Sequence, residues 1–229
     1  KNVRYYVGGS WYYEDGIFNT VANERYSAQM NYNKFNFRSN VDINITPSTT
    51  LAMSLSTQFT TKNAPGGGDG NSVDYIYQYA LRNTPIAMPL RYSDGEHLAN
   101  VTGTENPYNY LNERGYVSRT NNVAQTTVSL NQDFSDIITE GLSAKVQISW
   151  DATNTTTLGR TILPKTWYAD SRDPETGGLI FHVRDDYAGT ISLSNSPYGV
   201  RVLNLEAFLN YERTFASAHR ISGMFTYNM

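Results

Sequence analysis

Residues 33–61, NKFNFRSNVDINITPSTTLAMSLSTQFTT, alternate apolar and polar side chains for longer than strands of soluble domains do. Phe35, Phe37, Ser39, Val41, Ile43 and Ile45 share one parity, and Asn36, Arg38, Asn40, Asp42 and Asn44 the other. That is the two-residue period of a strand with one apolar face. Leu51, Met53, Leu55 and Phe59 then alternate with Ala52, Ser54, Ser56, Gln58 and Thr60. Between the arms, Thr46-Pro47-Ser48-Thr49-Thr50 leaves room only for a tight antiparallel connection, with Pro47 pre-set for a turn position. Each arm carries the pattern for about eleven residues, twice the usual strand. At about 3.3 Å per residue and a tilt near 40°, it rises roughly 25–28 Å, the height of the apolar band of an outer-membrane barrel. A strand pair with one face in a sandwich core is the competing expectation.

The remaining chain reads as five more strands of the same kind. Val3, Tyr5, Val7, Gly9 and Trp11 oppose Arg4, Tyr6, Gly8, Ser10 and Tyr12, over residues 3–13. Ala124, Thr126, Val128 and Leu130 form the apolar side of Val123–Phe134, and Leu142, Ala144, Val146, Ile148 and Trp150 that of the next. Leu203, Leu205, Ala207, Leu209 and Tyr211, then Ile221, Gly223, Phe225 and Tyr227, complete the set. The segment 62–122 shows no strand pattern. It opens on Pro65-Gly66-Gly67-Gly68-Asp69-Gly70, read as linker because no Lys-Ser/Thr follows as in a phosphate loop, and holds a helix expected over Val73–Leu81, stopped at Thr84-Pro85. A second excursion is expected over 152–199.

Composition narrows the class. Of 229 residues 39% are hydrophobic and 13% aromatic, with 18 Tyr, a mix suited to sheets with one wet face. The net charge of -3 and the lack of a Lys/Arg cluster argue against nucleic acid. Without cysteine there is no disulfide framework, thiolate metal site or Cys nucleophile. No run approaches the length of a transmembrane helix, which leaves a barrel open, since its signal per strand is weak.

The connections separate the two expectations. They alternate as a loop of about 18, a turn, a loop of about 60, a turn, a loop of about 45 and a turn, the sorting of extracellular loops and periplasmic turns in outer-membrane barrels. The apolar parity of the seven strands carries no charge. The expectation is therefore an all-β chain, residues 1–229 forming part of one antiparallel transmembrane β-barrel with long extracellular loops at about 62–122 and 152–199. Single-chain bacterial barrels have an even strand number, and the N-terminus KNVRYYVGG starts within a strand pattern with no signal peptide. Further segments are expected outside this stretch.

With the strands placed, the chain resembles the barrel of the SusC family of TonB-dependent outer-membrane transporters. The likeness rests on Tyr5-Tyr6-Val7-Gly8-Gly9 through Asp15-Gly16-Ile17, on FRSNVDINIT at 37–46, and on Asn63-Ala64-Pro65-Gly66. It continues in Arg82-Asn83-Thr84-Pro85-Ile86-Ala87-Met88-Pro89, Asn106-Pro107-Tyr108 with Leu111-Asn112 and Gly115-Tyr116, and Leu130-Asn131-Gln132-Asp133-Phe134. Residues 152–229 match in style only. The resemblance implies a barrel of about 22 strands in the bacterial outer membrane, filled by an N-terminal plug and energised through a TonB-contacting segment, neither of which lies in these residues. It further implies a SusD-type surface lipoprotein as lid and import of oligosaccharides or, in some members, peptides, with no cofactor.

Catalysis has little support in the residues. His97, His182 and His219 stand apart in sequence, and no GxSxG elbow or HExxH helix occurs. Asp185-Asp186 and Asp170/Asp173 are read as solvated loop charges and turn formers before calcium ligands or an acid/base pair. Trp167, Tyr168, Asp170, Arg172 and Asp173 are the candidate substrate-binding residues, because sugars stack on aromatic faces and hydrogen-bond to carboxylates. Packing of Trp167 and Tyr168 within the loops is the competing role. Tyr75 and Tyr79, one helical turn apart, are expected to anchor their helix onto the barrel rim rather than to touch substrate. Arg38, Asn40, Asp42 and Asn44 face the lumen in this register, where they would meet plug or water. Rival functions are a soluble or surface-anchored β-sandwich adhesin or lectin, and a membrane-embedded barrel enzyme, for which no outward Ser/His/acid cluster is found.

Overall fold

The computed structural model describes residues 2–21, 26–67, 72–187 and 189–229. In chain order the elements are β1 (Val3–Asp15), β2 (Asn31–Asn44), β3 (Thr49–Pro65), α1 (Ser72–Arg82), α2 (Pro107–Asn112), β4 (Gly115–Asp133) and β5 (Leu142–Ile162), followed by β6 (Thr166–Arg172), β7 (Leu179–Asp185), β8 (Ile191–Phe215) and β9 (His219–Asn228). One seven-stranded antiparallel sheet has the order β1-β2-β3-β4-β5-β8-β9, and β6 and β7 form a separate two-stranded ribbon. Each large-sheet strand pairs with the next one along the chain, so the tight turns 45–48, 134–141 and 216–218 share one end. The excursions 16–30, 66–114 and 163–190 share the other. The chain is all-β apart from two short helices. β1 and β9 are the two edges of the sheet and do not pair with each other.

Register keeps like faces together. Tyr5, Val41, Met53, Val128, Ile148 and Leu205 are successive cross-strand partners, and so are Arg38, Ser56, Gln125 and Asp151 on the opposite face. Shifting any strand by one residue would swap its faces, so the alternation itself fixes this pairing. No second layer covers the apolar side among the described residues. Tyr5 is 78% exposed, Leu203 68% and Ile148 49%, and Val41, Ile43 and Leu55 meet no packed sheet. Of the buried apolar residues, Ala28, Ile76, Leu98, Ala99 and Tyr110 belong to the excursions, and Ala152 lies in β5 of the sheet. Among the described residues the alternating strands form one sheet with no second sheet packed on it.

The apolar stretch also slides along the strands. On β1 it runs from Val3 to Tyr13, and on β8 from Leu203 to Tyr211. Ala207, at the middle of the β8 stretch, lies in register with Val146, Leu130, Leu51, Ile43 and finally Val3, at the end of the β1 stretch. The slide is about one residue per strand, the stagger that tilted strands require when a level band crosses them. With strands about 4.8 Å apart and about 3.3 Å per residue, it corresponds to a tilt of roughly 35°.

The structure revises the excursion boundaries. β4 begins at Gly115 and β5 ends at Ile162, both inside the stretches expected as loop, and β8 begins at Ile191. Ser118, Thr120 and Asn122 there pair with Leu158, Thr156 and Asn154. Neither face of that region is uniformly apolar, so pairing with neighbours makes it strand while periodicity leaves no trace of it. Gly115 starts β4 at φ +83°, and a Cβ there would lie 1.9 Å from the Arg160 carbonyl oxygen, so only glycine fits. α1 contains the expected 73–81 and ends just ahead of Asn83-Thr84-Pro85. α2 has a sequence-local cause: Asn106 is its N-cap, with its side chain accepting from the Tyr108 N–H, and Pro107 occupies the first turn. Gly68-Asp69-Gly70 of the expected linker lies outside the described residues.

Candidate binding surfaces

Two surfaces gather polar side chains: the wet face of the sheet and the layer formed by the excursions. On the sheet, Arg38, Asn40, Asp42 and Asn44 all project opposite the apolar parity. Asp42 lies 3.6 Å from Arg4, Asn40 accepts from Ser54 at 2.8 Å, and Asn44 accepts from Thr50 at 3.1 Å. Arg38 borders two shallow hollows. One, of about 500 Å³, is lined by Tyr6, Gly8, Asn36, Gln58 and Gln125. The other, of about 510 Å³, is lined by Gln147, Asp151, Asn204 and Glu206. Gln147 donates to Glu206 at 3.1 Å, while Arg38 and Asp151 have no side-chain partner among the described residues. Asp151, Asn204 and Glu206 alternate as clearly as Arg38 does. Only the cross-strand register shows that they share one surface with it.

The excursions lock together around side chains that sequence reasoning passed over. Glu105 receives Arg114 and Arg184, each at 3.1 Å, and accepts from Asn100. Arg184 also donates to Asp185 and to the Thr104 carbonyl. Asn100 and Asn106 are each 1% exposed. Asn106 donates to the Pro89, Leu90 and Ala99 carbonyls and receives the Tyr108 N–H, while its own N–H donates to Asn100. Main-chain hydrogen bonds join the two long excursions directly: Asn100 N–H donates to the Trp167 carbonyl and Trp167 N–H to that of Leu98, both at 2.9 Å. Asn residues in a loop carry no periodic signal, and Asn106-Pro107 stood out in the sequence only as part of a family motif, not as the start of α2.

The five candidate substrate residues are not brought to one point. Trp167 turns inward, its ring edge-on to His97, and His97 stacks on Phe181 at 4.0 Å. His97 is also 2.7 Å from Asp94. Tyr168 stacks on His182 on the other side of the ribbon, with Asp170 3.2 Å from the same imidazole. Arg172 donates to the Gly177 carbonyl, and Asp173 accepts the N–H groups of Glu175 and Thr176, so both serve the β6–β7 turn. The Asp173 carboxyl is held below its ordinary value by the Thr176 and Glu175 N–H groups. Asp185 and Asp186 part company, Asp186 pairing with Lys165 at 2.7 Å. Tyr75 and Tyr79 stack on each other and on Tyr110, so α1 is anchored to α2. Arg114 lies 3.7 Å over the Tyr110 ring, and burial pushes that phenol up to about 12.

Neither the known protein families nor the curated proteins contain a match to this sequence.

Among the described residues no three His, Asp or Glu side chains converge as a metal site requires. The wet face offers separated donors and acceptors and the excursion layer a rigid, hydrogen-bonded cap; both suit binding. Acid should loosen the cap. Burial alone would raise the Asp185 carboxyl, but hydrogen bonds from Thr166 and Arg184 and the guanidinium charge together hold it below its ordinary value. A depressed native value means a contribution complete above the unfolded-state value near 3.9 and lost as pH falls through the native one. The protection factors of the Asn100 and Trp167 amides, taken relative to intrinsic exchange at each pH, are therefore expected to fall below about pH 4, with those of the sheet amides unchanged over the same range.

Proposed function

We propose that this chain is part of the wall and extracellular cap of a TonB-dependent outer-membrane importer of the SusC type. The observation that carries the reading is a long next-neighbour antiparallel sheet with one face bearing a charge-free apolar band and one polar face, no second layer covering the apolar one among the described residues, whose band slides by about one residue per strand. A band of that kind suits lipid outside and water inside, and hydrocarbon tolerates such strands only in a closed barrel. On this reading further strands join the open edges β1 and β9. Arg38, Asn40, Asp42 and Asn44 face the lumen with Asp151 and Glu206, toward the plug. The excursions form the outer mouth, where Tyr168, Asp170 and His182 are presented to oligosaccharide or peptide cargo, and a SusD-type lipoprotein covers them. The residues here contribute wall and gate, and no catalytic step is assigned to them. The resemblance noted in FRSNVDINIT and the following motifs is what names the family; the band supports only the membrane barrel.

The test is fractionation of the full-length protein from its own cells. Recovery in the outer membrane, extraction only by detergent and a gel mobility that changes on boiling are expected, together with loss of uptake of one labelled oligosaccharide or peptide class when the gene is removed. A monodisperse protein in detergent-free buffer would end the proposal.

A further inference from the structure

We infer that the wet face at the excursion end of β2, β3 and β4 binds acidic oligosaccharides, their carboxylate or sulfate groups meeting Lys34, Lys62 and Arg119. The inference rests on the importer reading above and names the class of its cargo. The three cations share the parity of Arg38, Ser56 and Gln125, and the ladders reach them without a register shift. Lys62 stands directly opposite Arg119. Lys34 is the diagonal neighbour of Lys62, since Tyr32 pairs with Lys62 and Lys34 with Thr60. Opposed residues on one face hold their Cβ atoms about 5 Å apart and diagonal ones about 7–8 Å, and like charges so placed destabilise a sheet. Nothing in the wall offsets them. Among the described residues none of the three pairs with a carboxylate, and the Arg119 side chain donates only to the Thr157 hydroxyl, at 3.3 Å. Lys62 and Arg119 are exposed.

Aromatic faces lie beside the cations. Tyr12 and Tyr32 meet edge to face with ring centroids 6.0 Å apart, and a hollow of about 330 Å³, lined in part by Glu14, Tyr32 and Lys62, opens next to them. Tyr12 is half exposed. Its hydroxyl donates to Glu14 at 2.8 Å, so the nearest carboxylate of this face is turned to a phenol and not to a lysine. A sugar ring lays its C–H side on such an aromatic face, a guanidinium takes a carboxylate or sulfate with two parallel hydrogen bonds, and the lysines add point charges. Glu14 accepts a sugar hydroxyl but repels a uniformly acidic peptide, which favours the glycan. Height agrees. At about 3.3 Å per residue along strands tilted by roughly 35°, the cations stand roughly 15–20 Å above the centre of the apolar band, beside the excursions.

The experiment uses the full-length protein in nonionic detergent, with isothermal titration calorimetry as readout. The probes are oligogalacturonate for carboxylates and sulfated galactan oligosaccharides for sulfates, each beside its carboxyl-reduced or desulfated neutral counterpart, together with maltohexaose and hexaglutamate. One acidic glycan is expected to bind about tenfold tighter than its neutral counterpart, and Lys62→Gln and Arg119→Gln each to weaken that binding about fivefold. Added salt should erode the preference. Lys145→Gln, on the wet face at the turn end beside Phe208, leaves it unchanged. Each Gln at 62 or 119 removes a like-charge contact, so both variants are expected to withstand heat as the parent does, and lost binding is then not lost folding. Equal affinity for the neutral counterparts, equal binding by the Gln variants, tighter binding of hexaglutamate than of any glycan, or no binding of either acidic glycan would overturn the inference. Maltohexaose bound in their place would overturn it and leave the importer reading intact, since membrane recovery and loss of uptake test that reading separately. A protein that needs no detergent ends both.

Discussion

Ile148→Arg is expected to abolish or severely impair insertion of the full-length protein, while Ser149→Arg, one residue away, is tolerated. Ile148 sits in the middle of the apolar band, flanked in register by Val128 and Leu205, and an arginine at the bilayer midplane costs about 2–4 kcal/mol. Ser149 projects into the wet face beside Gln147 and Asp151, where a guanidinium keeps its water and gains acidic neighbours. The measurement is a urea titration of folding into lipid vesicles, followed by the heat-modifiable gel shift. Equal sensitivity at the two positions would mean that the faces are not exposed to different solvents. A soluble sandwich would show the same loss at 148 but would need no lipid to fold, so the vesicle-free control separates the two.

Asn106→Ala is expected to unlock the cap while sparing the sheet. The side chain is 1% exposed, donates to three carbonyls and caps α2. Loss of the cap costs about 1 kcal/mol, and stranding buried carbonyls about 1–3 kcal/mol more. Asn106→Asp should be no milder: it keeps the acceptor for the Tyr108 N–H but sets a carboxylate against the Pro89, Leu90 and Ala99 carbonyls. Limited proteolysis within 84–105 and amide exchange at Asn100 and Trp167 should both accelerate several-fold, with β2–β5 exchange unchanged. A uniform loss of protection through the sheet would show that the cap and the wall are one cooperative unit.

How much of this was legible beforehand follows from what each part needs from its residues. The apolar halves of the strands need alternation, so Phe35–Ile45, Leu51–Phe59 and Leu142–Trp150 announced themselves and carried the strand order with them. The outer halves of β4, β5 and β8 need only partners, and Thr153–Thr157 read as loop until the ladder was seen. α1 showed through Val73–Leu81 and its Thr84-Pro85 stop. The cap did not show, because Asn100, Glu105, Asn106 and Arg184 act through contacts between excursions far apart in sequence. Of the residues expected to bind cargo, Trp167, Arg172 and Asp173 prove to have structural neighbours of their own, whereas Tyr168 and Asp170 converge on His182, a histidine that looked solitary in the sequence.

Strand length grows steadily across the sheet, from 13 residues in β1 through 14, 17, 19 and 21 to 25 in β8. Set against the sliding apolar band, the added residues accumulate at the excursion end, so the parapet climbs from β1 toward β8. The excursion end of the sheet is therefore a low sill on the β1 flank and a tall buttress on the β8 flank. On the importer reading proposed above, bulky cargo is expected to approach laterally, over β1 and β2.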